Sequence, residues 1–304
     1  MTEQAYHIPV LLGPSIDGLN IKPDGIYIDV TFGGGGHAKE ILKQLTTGKL
    51  YGLDQDPRAM QNAPDDKNFE FIQGNFRYVS NFLIAQGITQ VDGLLADLGV
   101  SSHQFDDANR GFSLRFEGEL DMRMNSNGKV TAKDILNTYE ESQLARIFKM
   151  YGELPHAKKV AKFIVRYRDE NDLNTTTELR EAIEHLAPRT AVNKFLAQVF
   201  QAVRIEVNSE LEVLEEFLGQ MTGLIKPGGR LVVISYHSLE DRLVKNFVRS
   251  GNLEGNIEKD FFGNIIRPFE SVTRKAIQAD INEKEQNNRA RSARLRIAER
   301  NNGD

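Results

Sequence analysis

The chain contains no cysteine. That excludes disulfides, thiolate zinc sites and a cysteine nucleophile, and with the last goes any reaction in which a thiolate must add to a substrate ring. No apolar run approaches the ~20 residues of a membrane-spanning helix, and MTEQAYHIPVLL has no basic stretch leading an apolar core. A cytoplasmic protein with no membrane partner is expected. None of the six histidines stands at metal-ligand spacing, so no bound metal is expected in the chemistry. Nor is there an excess of positive charge: the net charge is −5, so any nucleic-acid surface must be local. Repeats and low-complexity tracts are absent too.

What is present is ordinary globular material, 304 residues with 40% hydrophobic and 27% charged side chains, enough for one large domain or two modest ones. The first third alternates between two hydrophobic periods. Strands are expected at 26–32, 49–53, 69–72 and 91–98, with helices at 37–45, from Pro57, and at 76–85. The pattern resumes downstream with a helix over 208–224 stopped by KPGG, a strand RLVVISY at 230–236 and a helix at 238–248. Such alternation predicts a parallel α/β sheet covered on both faces, with ligands at the carboxyl ends of the strands. The long interval between the fourth and fifth strands exceeds what a crossover needs and, over roughly 131–202, reads as helices only.

The stretch IYIDVTFGGGGHAKEI places four glycines between the first strand and the first helix after it. A flexible turn would use glycine as well, but at this corner backbone N–H groups can closely approach and bind a ligand. The second strand ends in Asp54, placed to accept hydrogen bonds from both ribose hydroxyls of an adenosine. Gly33, Gly35 and Ala38 also fit a degenerate dinucleotide fingerprint, so a nicotinamide cofactor stays open from the loop alone. The fourth strand ends in Asp97, within ADLGVSSHQFDD. A carboxylate there suits a cationic sulfonium or accepts the hydrogens of an acceptor amine; a helix cap is the simpler alternative.

A second constellation, YHSLED at 236–241, ends the fifth strand. His237 is a candidate proton acceptor or RNA contact, Ser238 a candidate helix cap, and Glu240 and Asp241 favour a helix N-terminus. Between 146 and 168 stand Arg146, Lys149, Lys158, Lys159, Lys162, Arg166 and Arg168 against Glu153. This is either a solvated face or a surface that tracks phosphates. The closing RARSARLR sets Arg289, Arg291, Arg294 and Arg296 among small and apolar residues, as in an outer strand.

Five segments together carry a resemblance: IDVTFGGGGHAKEIL, LADLGVSSHQFDDANRGFSLR with LDMRM, FQAVRIEVNSEL, VISYHSLEDRLVK and RARSARLRIAER. The chain resembles, from His7 to Arg300, the bacterial methyltransferases that modify the exocyclic N(4) amine of a cytidine in the decoding region of small-subunit (16S) ribosomal RNA. The resemblance implies S-adenosylmethionine as methyl donor and a Rossmann-like class I methyltransferase sheet with an inserted all-helical domain. It sets the methyltransferase domain at 1–105 and 206–304, and the RNA-recognising insertion at 106–205. It further implies that Gly34, Gly35, Gly36 and His37 line the cofactor, with Asp54 on the ribose and Phe76 near the adenine. Asp97 and Gln104 would flank the donor group, with Asp97 and His237 in catalysis. Lys158, Lys159, Lys162, Arg166, Arg291 and Arg294 would hold RNA. His103 replaces the proline of the VSSPQ form of this loop and puts the aim of Gln104 in question. The expected partner is the RNA or the small ribosomal subunit, and a homodimer stays open. Competing readings are another methyltransferase with the same cofactor half, a nicotinamide oxidoreductase, and a noncatalytic RNA-binding assembly factor.

The missing thiolate fits an amine acceptor. Methylation of a pyrimidine carbon normally needs a covalent thiolate adduct, whereas an exocyclic amine needs hydrogen-bond acceptors on its N–H groups and in-line placement.

Overall fold

Continuous burial along the central strands sets the architecture. In the computed structural model, residues 9–114 and 116–301 are described, the side chains of Ser102 and His103 excepted. The departure noted at His103 therefore lies outside the described side chains. The strands are β1 (Ile26–Asp29), β2 (Lys49–Asp54), β3 (Phe69–Gln73), β4 (Val91–Asp97), β5 (Ile225–Ser235), β6 (Phe269–Ser271) and β7 (Arg294–Arg300). They form one sheet in the order β3-β2-β1-β4-β5-β7-β6. The first five strands pair in parallel, and β7 runs antiparallel to both β5 and β6.

The helices are, in chain order, α1 (Leu12–Leu19), α2 (Gly36–Leu42), α3 (Val79–Ala85), α4 (Ser102–Asp106), α5 (Ala132–Thr138), α6 (Glu141–Met150), α7 (Ala157–Arg168), α8 (Thr176–Ile183), α9 (Val192–Asn208), α10 (Glu210–Leu224), α11 (Ser238–Ser250) and α12 (Ile281–Gln286). The chain divides into two compact units, one of residues 1–99 with 211–304 and one of residues 100–210. Gln104 falls in the second.

In the sheet unit, successive residues feed opposite cores. Ile28, Leu94, Ala96, Leu231 and Val233 pack with α3, α10 and α11 on one face. Tyr27, Leu95, Val232 and Ile234 pack with α1 and α2 on the other. A strand covered on both faces must be apolar at every position, which is why VDGLLADL and RLVVIS read as continuous runs. The sequence changes character where each strand leaves the sheet, and β1, β2 and β4 each end in an aspartate.

The helical unit buries one side of each helix. On α7 the buried residues are Ala157, Val160, Ala161 and Ile164, at helical spacing. The capping boxes Thr131/Asp134 and Thr175/Glu178 start α5 and α8.

Several boundaries differ from the periodicity. The helix expected from Pro57 is a 3-10 turn, Pro57–Asn62, and Phe76–Tyr78 is another before α3. The helix expected over 208–224 starts after a break, because Ser209 takes left-handed angles between α9 and α10. KPGG does not precede β5 but lies within it. The register steps from Val91↔Ile225 to Gly93↔Arg230, so Pro227, Gly228 and Gly229 bulge out, with Gly228 at φ 74°. The C-terminal strand is inner, not outer: the three-residue β6 covers its free edge, and Arg289 and Arg291 lie on a 3-10 turn before it.

Candidate active site

The four glycines divide into separate roles. Gly33 (φ 49°) and Gly35 (φ 71°) are left-handed, a conformation that a side chain disfavours. A Cβ on Gly35 would also lie 2.8 Å from the Phe32 ring, and one on Gly36 would lie 2.2 Å from Pro9 Cγ. These contacts lie within the fold. A Cβ on Gly34 would meet nothing within 4 Å, so here the corner presents bare backbone to open space. A cofactor cradle with no side chain is what this offers.

Asp54, at the end of β2, holds the corner in place. Its Oδ2 accepts from Gly33 N at 2.7 Å and its Oδ1 from Asp56 N at 2.8 Å. The Gln55 N–H also bonds this carboxylate, which still leaves Asp54 a lone pair to accept from a ribose. His37 is accounted for by the fold: its ring is buried, with Nε2 3.2 Å from Val10 O, and burial pushes its pKa down to about 4. The imidazole is a neutral core group. Phe76 packs edge-on against Phe217 with centroids 5.2 Å apart, just after Gly74 N donates to Asp54 O at 2.8 Å.

Two residues not singled out from the sequence complete the network. Asp29, buried at the end of β1, accepts from Thr31 N at 3.1 Å. Thr31 Oγ1 in turn accepts from Asp97 N at 2.6 Å. An acid closing the apolar run IYID was the available signal. Burial raises the pKa of Asp29 to about 7, opposed by the Thr31 N–H and reinforced by the charges of Asp97 and Asp54. Burial likewise raises Asp54 to about 6 and Asp97 to about 7. Three acids at adjacent strand ends thus stand poised to ionise, releasing protons to solvent, when a cationic ligand binds beside them.

Asp97 Oδ1 accepts from the Tyr236 hydroxyl at 2.7 Å, while its Oδ2 has no hydrogen bond among the described residues. Tyr236 ends the neighbouring strand, and burial beside that carboxylate raises its own pKa well above the usual value, so it remains a donor. Asp97 is not a helix cap.

The cap belongs to His237. Its Nδ1 accepts from Glu240 N at 3.4 Å, and the Glu240 carboxylate returns to Tyr236 N at 2.8 Å and His237 N at 3.3 Å, a capping box opening α11. Ser238 is therefore the first residue within the helix rather than its cap. With Nδ1 accepting, the neutral ring carries its proton on Nε2, buried and 3.2 Å from Glu240 Oε1, and has no lone pair left for a released proton. Asp241 holds β7, bonded to Arg294 Nη1 at 3.0 Å and Arg296 Nε at 2.8 Å.

In the helical unit, Gln104 is buried, with Nε2 donating to Met124 O at 3.1 Å and Oε1 accepting from Ser101 N at 3.1 Å. Its amide ties together the segment after α4. Lys158, Lys159, Lys162 and Arg166 are exposed on α7 opposite its buried face, and none has a hydrogen bond or ion pair among the described residues. Arg146, by contrast, pairs with Glu206, and Arg168 Nη1 donates to Leu136 O at 2.8 Å.

A doubly covered sheet whose first two strands meet at an aspartate-stapled glycine corner and whose fourth and fifth present a Tyr-bound carboxylate defines a class I, S-adenosylmethionine-dependent methyltransferase. Sequence comparison narrows the class. The chain belongs to the MraW methylase family, which matches residues 4–301. It is similar to the ribosomal RNA small subunit methyltransferase H of Bacteroides thetaiotaomicron, at 56% identity over 98% of each chain. It is also similar to the protein of that name from Cytophaga hutchinsonii, at 57% identity over 97% of this chain and 99% of that one.

Proposed function

We infer that this protein transfers a methyl group from S-adenosylmethionine to the exocyclic N(4) amine of a cytidine in small-subunit ribosomal RNA. The name shared by its relatives supports the RNA, and the geometry at Asp97 supports the acceptor. The observation that carries the reading is the half-satisfied carboxylate: Oδ1 is fixed by Tyr236, and Oδ2 has no partner among the described residues. An amine whose lone pair is delocalised into the ring must become more tetrahedral to react, and an acceptor on one of its N–H groups favours that change.

The cofactor fits the residues present. Gly34 gives a bare approach, Asp54 keeps a lone pair for the ribose, and three acids match a cation. When bound, S-adenosylmethionine supplies an electrophilic methyl group on a positively charged sulfur. Asp97 then orients the amine and stabilises the positive charge that develops on its nitrogen. The proton released afterwards cannot go to His237 in the capped tautomer; Asp97, at a pKa of about 7, is the nearer recipient in strength. In the helical unit, Lys158, Lys159, Lys162 and Arg166 form the surface that tracks RNA phosphates. The site of action is the cytoplasm, where this RNA is found.

The test is to incubate the protein with S-adenosylmethionine and either naked small-subunit RNA or assembled subunits, then identify the modified nucleoside by mass spectrometry. N(4)-methylcytidine is expected. A ring-carbon or ribose methyl group would overturn the assignment of the acceptor.

A further inference from the structure

At the carboxyl end of β5 the sheet unit opens a cavity of about 200 Å³, lined by residues including Tyr236, His237, Ser238, Arg291, Ser292 and Arg294. In the sheet, β4 lies between β1 and β5, so the cavity flanks Asp97 on the side away from the glycine corner. The glycine corner and the cavity thus stand on opposite sides of the same strand end, as donor and acceptor sites of a transfer reaction would.

We propose that this cavity holds a backbone phosphate of the RNA strand beside the acceptor nucleotide. The proposal rests on the functional reading above and adds to it a fixed point for the substrate next to the chemistry. The lining carries two arginines and no acid. Arg294 is steadied by Asp241 through Nη1, which leaves its other N–H groups to donate, while Arg291 is exposed and has no hydrogen bond or ion pair among the described residues. Guanidinium groups only donate, and their planar forks match phosphate oxygens; the amine edge of a base would need acceptors, and Asp97 supplies those. The first turn of α11 lies in the wall at Ser238. The nearby Glu240 carboxylate is not in the lining and is committed to the N–H groups of Tyr236 and His237. An unstacked nucleotide needs its backbone held beside the flipped base, because phosphate contacts set register and orientation.

The test compares full-length protein with Arg291→Gln and Arg291→Lys in binding a small-subunit RNA fragment by fluorescence anisotropy over a range of salt. Arg291→Gln is expected to weaken RNA binding on the order of tenfold and to lower the slope of log affinity against log salt by about 1, without altering the dissociation constant for S-adenosylmethionine. Arg291→Lys, which keeps the charge, is expected to recover most of the affinity. A glutamine variant with wild-type affinity and slope overturns the proposal, as does a lysine variant that loses as much as glutamine. Failure of the functional reading shows up separately, in the base that the wild-type protein methylates, since these binding constants need no turnover.

Discussion

Gly34 and Gly35 are adjacent, yet they are glycine for opposite reasons. Gly35 has a left-handed backbone and the Phe32 ring against it; Gly34 has neither constraint and faces open space. Valine at position 35 should therefore cost the fold about 1–3 kcal/mol in strain, whatever it does to a ligand. Valine at position 34 should leave the melting temperature unchanged and weaken S-adenosylmethionine binding by at least about tenfold, the equivalent of ~1.4 kcal/mol. Calorimetry on the two variants separates the roles. Wild-type cofactor affinity in Gly34→Val would mean that the open face is not the cradle. The run GGGG was legible as a special corner from its place between strand and helix. Which glycine faces a ligand was not legible, because Phe32 and Pro9 reach Gly35 and Gly36 through packing in the fold. Asp29 was missed for a similar reason: an acid at a strand end looks like a turn residue until burial is known.

At the scale of elements, helix starts show where local pattern misleads. S-L-E-D resembles a serine-led cap, but the chain leaves β5 one residue earlier in helical terms, and His237 takes the capping position with Glu240 as its partner. Only the φ and ψ of the residue before the helix decide this, and sequence spacing does not encode them. His237→Ala should lose about 1 kcal/mol of stability, and His237→Asn, a good cap, should restore it. Single-turnover methyl transfer by the asparagine variant should match wild type. A rate loss at full stability would return the imidazole to the chemistry. The parallel strands were read well because burial on both faces makes them uniformly apolar. The bulge in β5 was not, since Pro-Gly-Gly also ends helices, and the three-residue β6 is too short to leave a periodic signal.

For the whole molecule, charge links fold, cofactor and RNA. Asp29 and Asp97 at about 7 and Asp54 at about 6 lie above the ordinary carboxylate value, so the ligand-free fold prefers them protonated. Their contribution to stability is full below about pH 4 and is lost as pH rises through 6 to 7. A bound cation favours the ionised forms, so S-adenosylmethionine should bind more tightly at pH 8 than at pH 5.5 and release protons near pH 6.5. Calorimetry in buffers of different ionisation enthalpy reads that release, and its absence would remove the acids from the cofactor's surroundings. On the helical unit, Lys158, Lys159 and Lys162 changed together to glutamate should weaken RNA binding and flatten its salt dependence, with cofactor affinity intact. Unchanged RNA binding would make that helix face simply a solvated one. The basic run was legible in sequence; its division was not, because Arg146 and Arg168 are taken up by Glu206 and a backbone carbonyl distant in the chain.

Both halves of that charge pattern serve one claim, that the methyl group is transferred at the end of β4 beside the Tyr236–Asp97 pair. Asp97→Asn keeps the size of the side chain and one acceptor but removes the negative charge. The most direct measurement is its single-turnover rate of methyl transfer with S-adenosylmethionine and RNA both saturating, which isolates chemistry from binding and product release. A rate lower by about 100-fold or more, with RNA affinity close to wild type, is expected for a group that acts electrostatically on the acceptor. A wild-type rate would contradict it and leave Asp97 as nothing more than the hydrogen-bond partner of Tyr236.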